Sequence, residues 1–148
     1  MKRTLFILTA LMMLAAISCK KEDKNIDYKA KLAGEWHYVP EDFEADIYAV
    51  FEVNGGFELY QQIGGGRHKH YSGTWSSEKS TLSGTYSDGS AWGSKYSMTF
   101  TDDNMMVLTA LNGSAEVSTY VREDVPDEVK DSCVEVKSTA AADCAPAF

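Results

Sequence analysis

From Gly34 to Arg122 the chain returns to a turn signal about every ten residues, and this limits its possible folds more than any other feature. Short runs rich in Tyr, Phe, Trp, Val and Thr alternate with Gly, Asn and Asp. Asn54-Gly55 is a strong hairpin signal. Ser87-Asp88-Gly89-Ser90, Thr101-Asp102-Asp103-Asn104 and Asn112-Gly113-Ser114 suit tight turns. Connections this short hold no crossover helix, so successive strands must be antiparallel neighbours. Eight strands are expected, near 34–39, 46–53, 56–62, 69–76, 80–86, 92–100, 105–111 and 115–122. Gly64-Gly65-Gly66 is a looser loop, a candidate mouth or flap.

Period-2 alternation is clearest in the middle of the chain. Tyr71, Gly73 and Trp75 share one face, and His70, Ser72 and Thr74 the other. Leu82, Gly84 and Tyr86 follow, and then Trp92, Ser94, Tyr96, Met98 and Phe100. One face is aromatic and the other small and polar, the signature of a half-buried sheet. The second strand is ambiguous, because Ile47, Ala49, Phe51 and Val53 oppose the equally apolar Tyr48 and Val50. Glycine recurs on the aromatic face in Ser72-Gly73-Thr74-Trp75 and Ser83-Gly84-Thr85-Tyr86, where it relieves crowding and permits the sharp coil of a small barrel. The expected class is all-β: a small antiparallel up-and-down eight-stranded β-barrel with both edges joined. Its interior has room for side chains or one small ligand.

The N-terminus reads as an address rather than as fold. Met1-Lys2-Arg3 is basic, and the uncharged stretch from Leu5 to Ile17 is too short to span a membrane stably. Leu14-Ala15-Ala16-Ile17-Ser18-Cys19 resembles the bacterial lipobox, whose cysteine is acylated and becomes the new N-terminus. An ordinary leader with an incidental cysteine is the alternative. Each buried CH₂ contributes about 0.8 kcal/mol, so more than one acyl chain anchors stably without a transmembrane helix. Lys20-Lys21-Glu22-Asp23-Lys24 reads as a solvated tether, and Lys followed by two acids looks like the export signal of Bacteroidetes surface lipoproteins. The expected organisation is a leader at 1–18, a lipidated tether at 19–26, the barrel at 27–123 and a tail at 124–148. The expected location is the outer membrane of a Gram-negative bacterium, on the cell surface.

With Cys19 used by lipid, Cys133 and Cys144 remain as an even pair in an oxidising compartment, and a disulfide between them is expected. In the tail, Pro126 opens a possible brief helix, Val134 and Val136 a possible short strand, and Ala140 to Phe148 is Ala-rich and expected to be mobile apart from Cys144. Upstream, Asp27 is a candidate cap for one or two helical turns to Ala33.

Charge and motifs exclude several functions. The formal net charge is −8, and removing Lys2 and Arg3 with the leader deepens it to −10, which disfavours nucleic acid as a partner. No Gly-x-Ser-x-Gly, phosphate-cradling loop or dinucleotide fingerprint is present, and Gly89-Ser90-Ala91-Trp92-Gly93 has the wrong spacing. His68 and His70 share a strand face but lack an evident third ligand, and His37 stands alone. Glu41, Asp42, Glu44 and Asp46 lack calcium-loop spacing. No catalysis, metal or cofactor is expected.

Gly34-Glu35-Trp36 opens the first strand and Arg122 ends the last. With Gly-Thr-Trp, Leu-Ser-Gly-Thr-Tyr and Thr-Tyr-Val-Arg-Glu, the stretch 34–123 resembles the lipocalin-like domains of Bacteroidetes lipoproteins. The resemblance implies that Trp36 closes the barrel floor with Arg122 packed across it. Arg122 shares a face with Tyr120, opposite Val117, Thr119 and Val121, and the lipocalin Thr-Asp-Tyr motif has no good match, since Thr101-Asp102-Asp103 lacks the tyrosine. The aromatic face is first of all a core. Its functional reading is an apolar pocket in which Phe51, Tyr71, Trp75, Tyr86, Trp92 and Tyr96 bind a small apolar ligand. The rival is a surface-protein partner contacted by loops 40–46, 63–68 or 101–104, as in an enzyme inhibitor or an accessory subunit.

Overall fold

The computed structural model describes residues 26–141 and 145–148. The leader, Cys19 and most of the expected tether lie outside the described residues, as does Cys144. A short helix α1 (Tyr28–Leu32) comes first, and the Asp27 carboxylate accepts from the Ala30 N–H at 3.0 Å to cap it. The strands follow: β1 (Gly34–Tyr38), β2 (Ala45–Phe51), β3 (Gly56–Ile63), β4 (Lys69–Glu78), β5 (Thr81–Tyr86), β6 (Tyr96–Asp102), β7 (Met105–Ala110) and β8 (Val117–Arg122). Helix α2 (Asp127–Ser132), strand β9 (Val134–Glu135) and a 3-10 turn at Thr139–Ala141 complete the described elements.

Each of the first seven strands pairs antiparallel with the next, and β8 returns to β1 through Trp36↔Arg122 and His37↔Val121. The result is a closed eight-stranded up-and-down barrel, which leaves none of these eight an open edge strand. The β5–β6 seam is thin, held at Thr81↔Ser97 and Leu82↔Tyr96. Strand β9 pairs parallel with the first residues of β4, Lys69↔Val134 and His70↔Glu135, beyond the point where β5 has ended.

The register fixes two ends. The β1 start, the β2–β3, β4–β5 and β6–β7 turns and α1 lie at one end, the floor. The other connections, including Gly64-Gly65-Gly66, lie at the mouth.

Inward positions follow the pleat: Trp36, Ile47, Ala49, Phe51, Phe57, Leu59, Tyr71, Trp75, Leu82, Tyr86, Met98, Met106, Leu108 and Tyr120 form one buried cluster. The ambiguity of β2 has a physical cause. Its outer face is also covered, because Val125 and Val129 from the α2 region bury Tyr48 and Tyr60 in a second cluster.

Two expectations, the start of the sixth strand and the mobile tail, are corrected, and the inner face of β8 is assigned. The sixth strand starts at Tyr96, not residue 92, so Trp92 reaches the core from a loop. In β8 the valines face out: Val117 and Val121 are exposed while Tyr120 is buried, so the face shared by Tyr120 and Arg122 is the inner one. The end of the tail is not mobile at its last residue: Phe148 is 4% exposed and belongs to the barrel core.

Candidate functional site

At the floor, the Arg122 guanidinium carbon lies 4.2 Å from the Trp36 ring centre. Its nitrogens donate to the carbonyls of Asp103 (3.0 Å), Ala33 (3.0 Å) and Lys31 (2.8 Å). Trp36 Nε1 donates to Leu32 O at 2.8 Å, tying the indole to the end of α1. Gly34 has φ +132°, and a Cβ there would overlap the Arg122 guanidinium. The sequence pair Trp36 and Arg122 therefore meets at the barrel base.

Above the floor the six expected ligand-binding residues converge, and most of them surround an aromatic ring from their own chain. Phe148 has its ring 4.8 Å from Trp92, 5.4 Å from Tyr96 and 6.2 Å from Phe51, centre to centre. Phe57 and Tyr120, absent from the sequence-derived set, stand at 5.4 and 6.1 Å. Tyr86 touches the tail through its hydroxyl, which donates to Phe148 O at 2.8 Å. Trp75 and Tyr71 sit one layer out, against Phe51 and Tyr86 respectively. Trp75 spends its N–H on Glu52 O at 3.0 Å.

Trp92 owes its place to Gly84. Its backbone N–H donates to Gly84 O at 3.0 Å, and a Cβ on Gly84 would overlap the indole. Gly73 has the same function toward backbone, since a Cβ there would overlap Thr85 O. Burial pushes Tyr96 up to about 12, and raises Tyr86 and Tyr120 further. These phenols enter the chamber as neutral donors.

The outer wall carries all three histidines, each against a carboxylate. His37 Nδ1 is 2.8 Å from Glu123 and its Nε2 2.5 Å from Asp46, whose other oxygen is 2.8 Å from His68 Nε2. His70 Nδ1 is 2.5 Å from Glu135 on β9. His37 stacks on Tyr48 at 4.2 Å and His70 on Tyr60 at 4.6 Å. Burial first, then the Asp46 charge, pushes Tyr48 up to about 12. These contacts tie β1, β2, β4 and the tail together. Among the described residues no group of three or more His, Cys, Asp or Glu could hold a metal. Cys144 lies outside the described residues, and Cys133, expected to pair with it, is a free thiol in this structure: it is half-buried and donates to Lys130 O at 3.2 Å. Burial raises its pKa.

One shallow cleft of about 140 Å³, part of it open solvent, lies where Asp88 meets Thr139 beside Tyr71 and Tyr86. Ligand sites usually measure about 300–1,000 Å³. Phe148, at the centre of the aromatic cluster, has no counterpart among the sequence-derived site residues. A lone aromatic after an Ala-rich run has no periodicity to flag it.

The geometry defines a small closed barrel with a stoppered floor and an aromatic interior into which the Phe148 ring is packed. Residues 17–107 match the lipocalin-like domain family, and the chain belongs to that family. No curated protein matches the chain. The NMR structure of a protein from Bacteroides uniformis is similar, with a TM-score of 0.52 at 12% identity over 66% of this chain and 93% of that one. At that identity the likeness carries the fold alone.

Proposed function

We propose that this protein is a lipid-anchored, exported, non-catalytic binding protein whose barrel takes a small, mainly apolar ligand. One observation carries the reading. The chamber holds a ring from a segment that is no part of its wall, and it does so with residues of a ligand pocket: Phe51, Phe57, Trp92, Tyr96 and Tyr120 around the ring, and the Tyr86 hydroxyl on the main chain. Capture is then passive, by burial against aromatic faces with one or two polar anchors. In this reading Cys19, followed by Lys20-Lys21-Glu22-Asp23-Lys24, supplies the anchor, and the outer membrane of a Gram-negative bacterium is the location.

The test is binding of a neutral apolar fluorophore, N-phenyl-1-naphthylamine, to the intact chain and to Phe148→Ala. Uptake that rises in the variant, and is competed by members of a lipid and glycan panel, supports the reading. A folded Phe148→Ala that takes up no probe sinks it.

A second reading, a protein-interaction module such as an enzyme inhibitor or accessory subunit, is favoured by a different observation. Phe43 is 46% exposed among the exposed Glu41, Asp42 and Glu44 in the β1–β2 connection at the mouth. An acidic rim around an apolar residue suits a basic partner by electrostatic steering. Pull-down with the intact chain, weakened by Phe43→Ala and by salt, would favour it.

A further inference from the structure

Residues 145–148, Ala-Pro-Ala-Phe, meet a row of donors in the chamber. Gln61 Nε2 donates to Ala145 O at 3.0 Å, the Tyr96 hydroxyl to Ala147 O at 3.5 Å and the Tyr86 hydroxyl to Phe148 O at 2.8 Å. Three side chains from three strands thus address three of the four carbonyls of residues 145–148, while the aromatic rings enclose the Phe148 side chain. A pocket built only for apolar burial has no use for such a row.

The fit leaves two polar atoms unsatisfied. Gln61 is 2% exposed and Trp92 6%, yet Gln61 Oε1 and Trp92 Nε1 have no hydrogen-bond partner among the described residues. Both side chains touch the tail, Gln61 through Ala145 O and Trp92 through the Phe148 ring. Buried orphans of this kind are uncommon and costly. An occupant with an N–H for Gln61 and a further acceptor for Trp92 would fill the chamber better than the tail does. Peptide backbone supplies both groups, and Pro146 is a residue that lacks the N–H.

We infer that the chamber is a peptide-reading site: it takes the aromatic-ended part of an extended peptide in trans, and residues 145–148 are its occupant in cis. The inference rests on the reading that the barrel interior receives a ligand, and it names that ligand's class. The tail competes in cis, at the effective concentration that covalent attachment gives it. The intact chain therefore binds such peptides weakly and gains affinity once the tail is removed.

The probes are fluorophore-labelled, amidated Ala-Pro-Ala-Phe and Ala-Ala-Ala-Phe, read by anisotropy against the intact chain, a variant lacking residues 145–148, and Phe148→Ala. Affinity should rise at least about tenfold on removal of the tail. Ala-Ala-Ala-Phe, with its extra N–H, should bind more tightly than Ala-Pro-Ala-Phe. Gln61→Ala in the shortened chain should lower peptide affinity several-fold and leave N-phenyl-1-naphthylamine uptake in place. A shortened chain that stays folded and takes the naphthylamine but neither peptide overturns the inference and leaves the apolar-ligand reading standing. Uptake of none of the probes overturns both. If both variants lose the cooperative unfolding of the intact chain, the tail is core and the inference fails.

Discussion

Arg122 and Trp36 stack at 4.2 Å, and the same guanidinium ties the end of α1 to the β6–β7 turn through Lys31, Ala33 and Asp103. The planar fork satisfies three carbonyls while keeping its face on the indole. Lysine has one nitrogen and no plane to do this. Arg122→Lys should lower stability by about 1–3 kcal/mol, through lost charge-assisted hydrogen bonds. Urea unfolding followed by tryptophan fluorescence checks it. A midpoint equal to wild type would mean the floor is held by apolar packing alone.

Gly84→Ala should eject Trp92 from its seat, since the added methyl occupies the indole's space. Overpacking of this kind costs about 1–3 kcal/mol. Exposure of Trp92 should also shift tryptophan emission to the red. Alanine at Gly89, where no atom lies within 4 Å of the added carbon, controls for bulk but carries the strain of φ +88°.

Stability should fall at alkaline pH in a defined window. Tyr48 and Tyr96 are raised to about 12 from 10.0, and Tyr60, Tyr86 and Tyr120 rise as well, all of them chiefly by burial. A raised acid favours the folded state fully below its unfolded value and loses that contribution as pH climbs through the folded one. The loss therefore begins near pH 10 and is far advanced near 12. Phenolate absorbance should show these tyrosines lagging in native protein and titrating together once unfolding occurs. Native-state titration of all tyrosines near 10 would contradict the buried chamber.

Asp88 latches the tail to the β5–β6 connection. Its carboxylate accepts from the Ser90 hydroxyl and N–H and from the Thr139 N–H and hydroxyl, and these hydrogen bonds hold it well below the usual carboxylate range. A lowered acid stabilises the fold above its unfolded value and loses that contribution as pH falls through the folded one. The latch should thus be intact above about pH 4 and weaken below it. Asp88→Ala should speed hydrogen exchange at Thr139 at neutral pH. Unchanged exchange would show that β9 alone secures the segment.

Cys19 and the pair Cys133 and Cys144 make covalent predictions. Mass analysis of protein extracted from native membranes should find an acylated residue 19, and Cys19→Ala should release the protein from the membrane. Thiol counting before and after reduction should reveal two masked cysteines. Two freely reactive thiols in exported protein would exclude the bridge.

The meander was legible because turn chemistry and period-2 alternation agree from Gly34 to Arg122. Strand ends fell within a few residues of their expected positions where a Gly or Asn marked them. The sixth strand failed because Trp92 continues the alternation in sequence yet reaches the core from a loop, through a contact with Gly84 that no local pattern encodes. The alternation in β8 groups Tyr120 with Arg122 without saying which face is inner, and the structure decides it by placing Tyr120 over Phe148. The second strand was ambiguous because Tyr48 is as apolar as its opposite face, and the structure explains this by covering Tyr48 and Tyr60 with Val125 and Val129. Each of these points turns on a contact across at least several residues, and several of them involve the tail. The chamber's residues were legible as an aromatic face, but not its occupant.

The position of α1 has a geometric consequence. The chain enters the described fold beneath the floor, where Leu32 O receives the Trp36 N–H and Lys31 O the Arg122 guanidinium. Any attachment upstream of residue 26 therefore grips the molecule by its sealed base. The β1–β2 connection with Phe43, at the mouth, is thereby the end of the barrel opposite the point of attachment.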